Sequence, residues 1–236
     1  MLRMLLCDLY GVVCRLNRYL NGNTRTTPVF DLVHAGPNHR YTTPNLTVHN
    51  CVLGLGYQSG GPKFKSFTKT QTGLDLTLDE AERAVADYRA RNWRVTRYWS
   101  EHQQALAFSA RRLDDTHQVE LRSGRILTYW EPRTTGREIS AFAARGESRS
   151  FFYGGKLTEN EVQSSCRDIL CDAWLAMDRA GYEVILTVHD EIVVEVPDDE
   201  VKQRVEDVRR LMTTCSPWAE GLPLGVDICV ADVYRK

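Results

Sequence analysis

Two runs rich in β-branched residues, Glu183-Val184-Ile185-Leu186-Thr187-Val188 and Ile192-Val193-Val194-Glu195-Val196, stand three residues apart. A gap that short leaves room only for a tight antiparallel hairpin. The three residues of the gap are His189, Asp190 and Glu191. The tip of the hairpin therefore presents an imidazole beside two carboxylates. Both strands are almost wholly apolar, which predicts burial, and carboxylates next to a buried hairpin are costly unless something cationic meets them. A hard oxygen site of this kind suits Mg²⁺. The competing reading is a charged, solvated turn.

The chain has 236 residues, enough for one or two domains with a core. Its net charge of −1 spreads no basic surface over the whole molecule, so any nucleic-acid surface is local. Cys7, Cys14, Cys51, Cys166, Cys171, Cys215 and Cys229 are irregularly spaced and form no C-x-x-C pair. That spacing points away from a zinc site or disulfide framework and towards a reducing, cytoplasmic setting. The opening Met1-Leu2-Arg3-Met4-Leu5-Leu6-Cys7 looks like the start of a signal sequence, but Asp8 interrupts it. No apolar run approaches membrane-spanning length, so no membrane partner is expected.

The chain between these ends reads mostly as helix. Thr77 and Glu80 have the spacing of a capping box, which predicts a helix over 78–91. A second helix is expected over 93–112, with Trp99 and Leu106 on its apolar face. Residues 60–75, rich in Gly, Lys and Thr, read as a loop. Leu121-Arg122-Ser123-Gly124-Arg125-Ile126-Leu127 reads as a hairpin around Ser-Gly. Residues 133–150 read as polar and irregular, with Arg133, Arg137, Arg145 and Arg149. Thr158 and Glu161 repeat the capping-box spacing and open a helix to about 179.

Near the N-terminus a second chemical signal stands out, His49-Asn50-Cys51. The Asn50 side-chain nitrogen can attack its own carbonyl, close a succinimide and release the downstream chain. His49 can protonate the departing amine. The Cys51 thiol can receive an acyl group beforehand. The triplet alone is an ordinary loop sequence, so the context carries the reading. Val29-Phe30-Asp31-Leu32-Val33 alternates as a strand, Gly36-Pro37-Asn38 is a turn, and His39 comes next. Then come Thr43-Pro44-Asn45 and Leu46-Thr47-Val48, running into the junction.

Residues 28–51 resemble the C-terminal end of an intein. The resemblance makes Asn50 the cyclising residue, His49 the penultimate histidine, Cys51 the acyl acceptor, His39 an assisting histidine and Asp31 an acid near the branch site. No N-terminal intein half fits before residue 29, which implies a split intein with its partner on another polypeptide. Splicing needs no cofactor. Residues 1–27 carry little of the pattern beyond apolar stretches such as Val12-Val13-Cys14.

Residues 51–236 resemble the C-terminal part of a family A DNA polymerase. The motifs, in order, are Leu53-Gly54-Leu55-Gly56-Tyr57, then Leu121-Arg122-Ser123-Gly124-Arg125. Lys156-Leu157-Thr158-Glu159-Asn160 comes after them, with Gln163 and Arg167-Asp168, and then Val188-His189-Asp190-Glu191. The resemblance implies two Mg²⁺ ions, primer-template DNA and dNTPs as partners, and the compact split design points to a phage source. Asp190 becomes the metal-bridging carboxylate, with Glu191 supporting it. Tyr57 and Leu53 lie near the nucleotide, and Gln163, Arg167, His189 and Arg125 near DNA or dNTP. The family's second aspartate, in an Asp-Tyr-Ser-Gln-x-Glu motif, has no match and is expected on the N-terminal fragment. The fingers lysine falls four residues before Leu53, at His49, so splicing would supply it. Lysine, Leu53 and Tyr57 would then share one helix face. Gln58 stands where the family has Gly, and Leu53 where many members have an aromatic residue.

The fold class expected is α+β: a small all-β, Hint-type intein segment over 1–50, then a fingers-and-palm fragment over 51–236 of helices with an antiparallel sheet. Two alternatives remain open. One is a polymerase fragment that assembles non-covalently beside a degenerate intein. The other is a non-catalytic DNA-binding module.

Overall fold

The computed structural model describes residues 2–10, by backbone pairing, and 55–234 apart from 137 and 145. The expected intein residues Asp31, His39, His49, Asn50 and Cys51, and also Leu53, lie outside the described residues. The described residues divide into two units. One holds 2–10, 121–125 and 162–234, and the other holds 55–120 and 126–161.

The second unit is built from chain interrupted only at 121–125. Helix α1 (Gly61–Thr72) has a proline in its first turn and ends at Gly73 with φ 72°. Residues 60–75 are therefore largely helix, not loop. The polar composition hid Phe64, which is 2 % exposed and packs with Leu55, Val85, Val95 and Trp99. Burial of one aromatic ring overrides weak local propensity. Helix α2 (Leu78–Arg91) begins as expected: the Thr77 hydroxyl accepts from the Glu80 amide, and the Glu80 carboxylate accepts from the Thr77 amide at 2.8 Å. Helix α3 (Trp93–Arg112) comes next, with Trp99 and Leu106 buried.

Strands β2 (Thr116–Glu120), β3 (Ile126–Thr135), β4 (Glu138–Phe142) and β5 (Ser150–Phe152) form an antiparallel meander in chain order. Leu106 and Ala110 pack with Tyr129, Ile139, Ala141 and Phe152 of this sheet. About half of the segment read as irregular is thus strand. Its register shifts between Trp130 and Arg133, with Glu131 at φ 45°. A bulge there breaks the alternation that would have marked a strand. Arg149 closes the bulge, donating to the Glu131 carbonyl at 2.7 Å and lying over the Phe142 ring.

Helix α4 (Gly154–Arg179) starts four residues before Thr158. Thr158 is not its cap; the hydroxyl donates back to the Gly154 carbonyl inside the helix, at 3.0 Å. The first unit then adds β6 (Glu183–Val188), β7 (Glu191–Pro197), helix α5 (Val201–Thr213) and β8 (Gly225–Ala231). Strand β1 (Leu2–Tyr10) completes its sheet, in the order β6-β7-β1-β8. Helix α5 is strongly two-faced and buries Val208 and Met212. The hairpin β6–β7 forms as expected, but only β7 is buried. Ile192, Val193 and Val194 are fully enclosed, whereas Ile185 and Leu186 are each 42 % exposed. Strand β6 is the sheet's edge and is irregular between Val184 and Leu186, so its apolar residues do not all face the core.

Candidate active site

At the hairpin tip His189 takes φ 53°, the left-handed conformation that lets a two-residue turn follow the strand twist. His189 and Asp190 are both exposed. Asp190 makes no hydrogen bond or ion pair among the described residues, so its oxygens face water. Glu191 is 6 % exposed and accepts from the Tyr234 hydroxyl at 3.1 Å. The expected cost of buried carboxylates therefore falls on Glu191 alone, which has a donor. Asp190, the expected metal ligand, lies at the surface and bears no such cost.

The register brings in a residue outside the expected set. Asp8 of β1 is the backbone partner of Glu191 on one side and of Asp227 on the other. The second aspartate was expected on another chain. In addition, an aspartate of the chain's own first strand stands in register beside the hairpin. Its one trace in the sequence is the break it makes in an apolar run, which counts against a signal peptide and says nothing of a site. Among the described residues no three His, Cys, Asp or Glu side chains gather closely enough to hold a metal ion. Asp190 fits such an ion chemically, as a solvent-facing hard donor, but these residues supply an incomplete ligand set.

Helix α4 carries Gln163 and Arg167 one turn apart and both exposed, so they share one face. Arg125 is placed otherwise than as a loose cation. Its Nε meets Asp168 at 2.7 Å and its guanidinium also donates to the Ser164 carbonyl. The Ser123 hydroxyl donates to the same Asp168. Gly124, at φ 83°, makes the turn between them. The Ser-Gly-Arg turn is thus tied to α4. Beside it lies an open cleft of about 380 Å³, floored by Asp168 and Asp172, the latter receiving the Trp218 indole N–H at 2.9 Å.

In the other unit Leu55 begins a helical turn and Tyr57 is half-buried. Gln58 takes φ 67°, a conformation that favours Gly, in keeping with the glycine that the resemblance leads one to expect there. The glutamine is retained by a bond: its Oε1 accepts from the Gly155 amide at 2.9 Å. A Cβ on Gly155 would lie 2.3 Å from the Tyr57 carbonyl oxygen, and one on Gly154 would lie 2.1 Å from that of Trp99. The start of α4 therefore needs both glycines.

The Glu161 carboxylate, buried in this unit, is more than the helix cap its spacing suggests. The Tyr98 hydroxyl donates to one oxygen and His102 Nδ1 stands 2.7 Å from the other. That second oxygen is satisfied when the His102 proton sits on Nδ1. Burial, then the neighbouring Glu161, pushes the Tyr98 hydroxyl far above its ordinary range, so it stays a donor. Nearby, burial holds His117 below its ordinary value while its Nδ1 contacts the Ser109 hydroxyl at 3.0 Å.

Comparison with known proteins shows the family. The family model for DNA polymerase family A matches residues 66–236. The chain belongs to DNA polymerase family A. It is 32% identical over 209 residues to the DNA polymerase of Bacillus phage SP02, spanning 78% of this chain and 31% of that one. The chain thus covers less than a third of that relative's length. It also shares a fold with the polymerase domain of Pol1 from M. smegmatis, solved in complex with DNA primer-template and dNTP. There the TM-score is 0.57 at 15% identity, over 98% of this chain and 39% of that one. Among the described residues, no helix is long and apolar enough to cross a membrane.

Proposed function

We propose that residues 51–236 are the C-terminal fragment of a DNA-directed DNA polymerase, and that residues 1–50 join it to its N-terminal fragment by protein trans-splicing. The observation carrying the polymerase half is the hairpin tip: Asp190 exposed and, among the described residues, unpartnered, beside buried, hydroxyl-bonded Glu191. Asp190 would hold Mg²⁺ together with carboxylates from outside the described residues. When bound, the ions activate the primer hydroxyl and stabilise the leaving pyrophosphate. Gln163 and Arg167 would grip the primer-template through phosphate and sugar contacts, which position a duplex without reading it. Arg125 would act by fixing the Ser123–Arg125 turn to α4, its charge balanced by Asp168. Tyr57 would face the nascent pair from the turn that Gln58 and Gly155 hold. Partners would be the N-terminal fragment, primer-template DNA and dNTPs.

The splicing half rests on sequence. Asn50 Nδ2 attacks the Asn50 carbonyl carbon, the Asn50–Cys51 bond breaks, and the Cys51 amine leaves with a proton from His49. Before that, the Cys51 thiol takes the N-terminal fragment as an acyl group, breaking that fragment's acyl bond to the partner intein half, whose nucleophile leaves with the proton; the acyl group then shifts from sulfur to the freed amine.

The test is to mix the full chain with its cognate N-terminal fragment. A ligated product near the summed mass is expected, absent for Asn50→Ala. Metal-dependent primer extension by that product should disappear with Asp190→Ala. No ligation in either form would leave the non-covalent assembly as the reading. Ligation without extension would leave a DNA-binding module.

A further inference from the structure

Glu191 is the first residue after the two-residue turn of the hairpin. Its backbone pairs with Val188 on one side and with Asp8 of β1 on the other. Its side chain is buried, whereas the adjacent Asp190 faces water. Among the described residues the donor to that side chain is the Tyr234 hydroxyl, 3.1 Å from Oε2. The tyrosine reaches it from the other side of the sheet. Strand β8, which precedes Tyr234 in the chain, is separated from β7 by β1. Its last residue, Ala231, is level with Met4 of β1, while Glu191 is level with Asp8. Four residues of strand span roughly 13 Å. The segment 232–234 therefore turns back along the sheet and crosses β1 to meet the hairpin. Tyr234 is itself half-buried where that path ends.

We propose that Tyr234 is a positioning residue for the metal ion at the hairpin tip, acting through Glu191 on Asp190. The proposal rests on the metal-binding reading of Asp190 above. Asp190 and Glu191 are consecutive, so the direction in which Asp190 leaves the turn is set by how firmly its neighbour is held. Backbone pairing fixes the Glu191 main chain from both sides but leaves a buried carboxylate that needs donors. The Tyr234 hydroxyl meets that need and ties the side chain down onto the sheet. A donor that holds a group beside a metal ligand orients the site and sets its affinity without touching the ion. Without the hydroxyl, the Glu191 carboxylate must find water, and the nearest water lies at the turn that carries Asp190. His189 already takes φ 53° in that turn, so few other conformations keep the strands paired.

Tyr234→Phe keeps the ring, removes the hydroxyl and tests this. On the full chain without metal, hydrogen exchange read by mass spectrometry should rise roughly threefold or more over 188–192. Exchange over 116–120 and 126–135 should stay as it was, which controls for folding. In the assembled polymerase, the Mg²⁺ concentration for half-maximal primer extension should rise roughly tenfold. KM for dNTP at saturating Mg²⁺ should stay within about twofold of the unchanged protein. In a Glu191→Gln background Tyr234→Phe should add no further rise, because the two side chains act as one unit. Unchanged exchange over 188–192 would overturn the proposal. So would an unmoved Mg²⁺ midpoint, or an equal further rise in the Glu191→Gln background, in a polymerase whose extension is abolished by Asp190→Ala; Tyr234 would then be a structural tie alone. If Asp190→Ala leaves metal-dependent extension intact, the metal-binding reading of the tip fails, and the proposal falls with it.

Discussion

The two sheets of this molecule are built in opposite ways. The β2–β5 sheet is a meander whose neighbours in space are neighbours in sequence. The β6-β7-β1-β8 sheet draws one inner strand from residues 2–10 and its others from beyond residue 182. Local pairing costs little loop-closure entropy, and distant pairing costs more and forms later. The meander's unit is internally complete, down to a buried carboxylate with its own donors. The other sheet carries the exposed catalytic candidate and depends on a distant strand. The difference teaches that stability and chemistry sit in different units, and substitutions should separate them.

The largest effect is expected at Asp190. Asp190→Ala should lower metal-dependent primer extension by the assembled polymerase by about 10³-fold or more. Its denaturant midpoint should scarcely move, because an exposed side chain without partners among the described residues stabilises nothing there. A large loss of stability would break the separation. Gly154→Ala reverses the pattern: a Cβ driven to within 2.1 Å of the Trp99 carbonyl should destabilise the chain by about 3 kcal/mol in urea unfolding. Tyr98→Phe leaves buried Glu161 with His102 alone and should cost about 2 kcal/mol in the same assay. Thr77→Ala removes half of the capping box and should cost about 1 kcal/mol.

The smallest effect is a pH dependence. Burial depresses the pKa of His117, so the unfolded chain takes up the proton first. The associated stability is fully present above about pH 6.5 and is lost as pH falls from there through the folded value. A urea-midpoint profile from pH 8 to 5 should fall, and His117→Gln should flatten it.

These effects also sort what the sequence made legible. Helices 78–91 and 93–112 are readable to the residue, because the Thr77 box and the spacing of Trp99 and Leu106 are local signals. The hairpin around Asp190 is legible for the same reason. The α1 helix is not, since Phe64 is one buried ring in a polar stretch and its partners lie on other elements. The Thr158 box misleads because its threonine bonds to the carbonyl four residues back, a pattern that capping spacing alone cannot distinguish. Strands 126–142 are hidden by the bulge at Glu131. At the site, the exposure of Asp190 suits the carboxylate candidate that its place in the hairpin suggests. Glu191's burial, Arg125's tie to Asp168 and the place of Asp8 all depend on distant partners and are out of a sequence's reach.

Strand β1 has a further consequence, in the language of solubility. Without β1 the chain would show the inner edges of β7 and β8 to water. Bare strand edges would make it a template for pairing with other copies and for aggregation. By lying between β7 and β8, residues 2–10 keep those edges paired, so one short segment at the start of the chain guards the sheet against pairing with other chains.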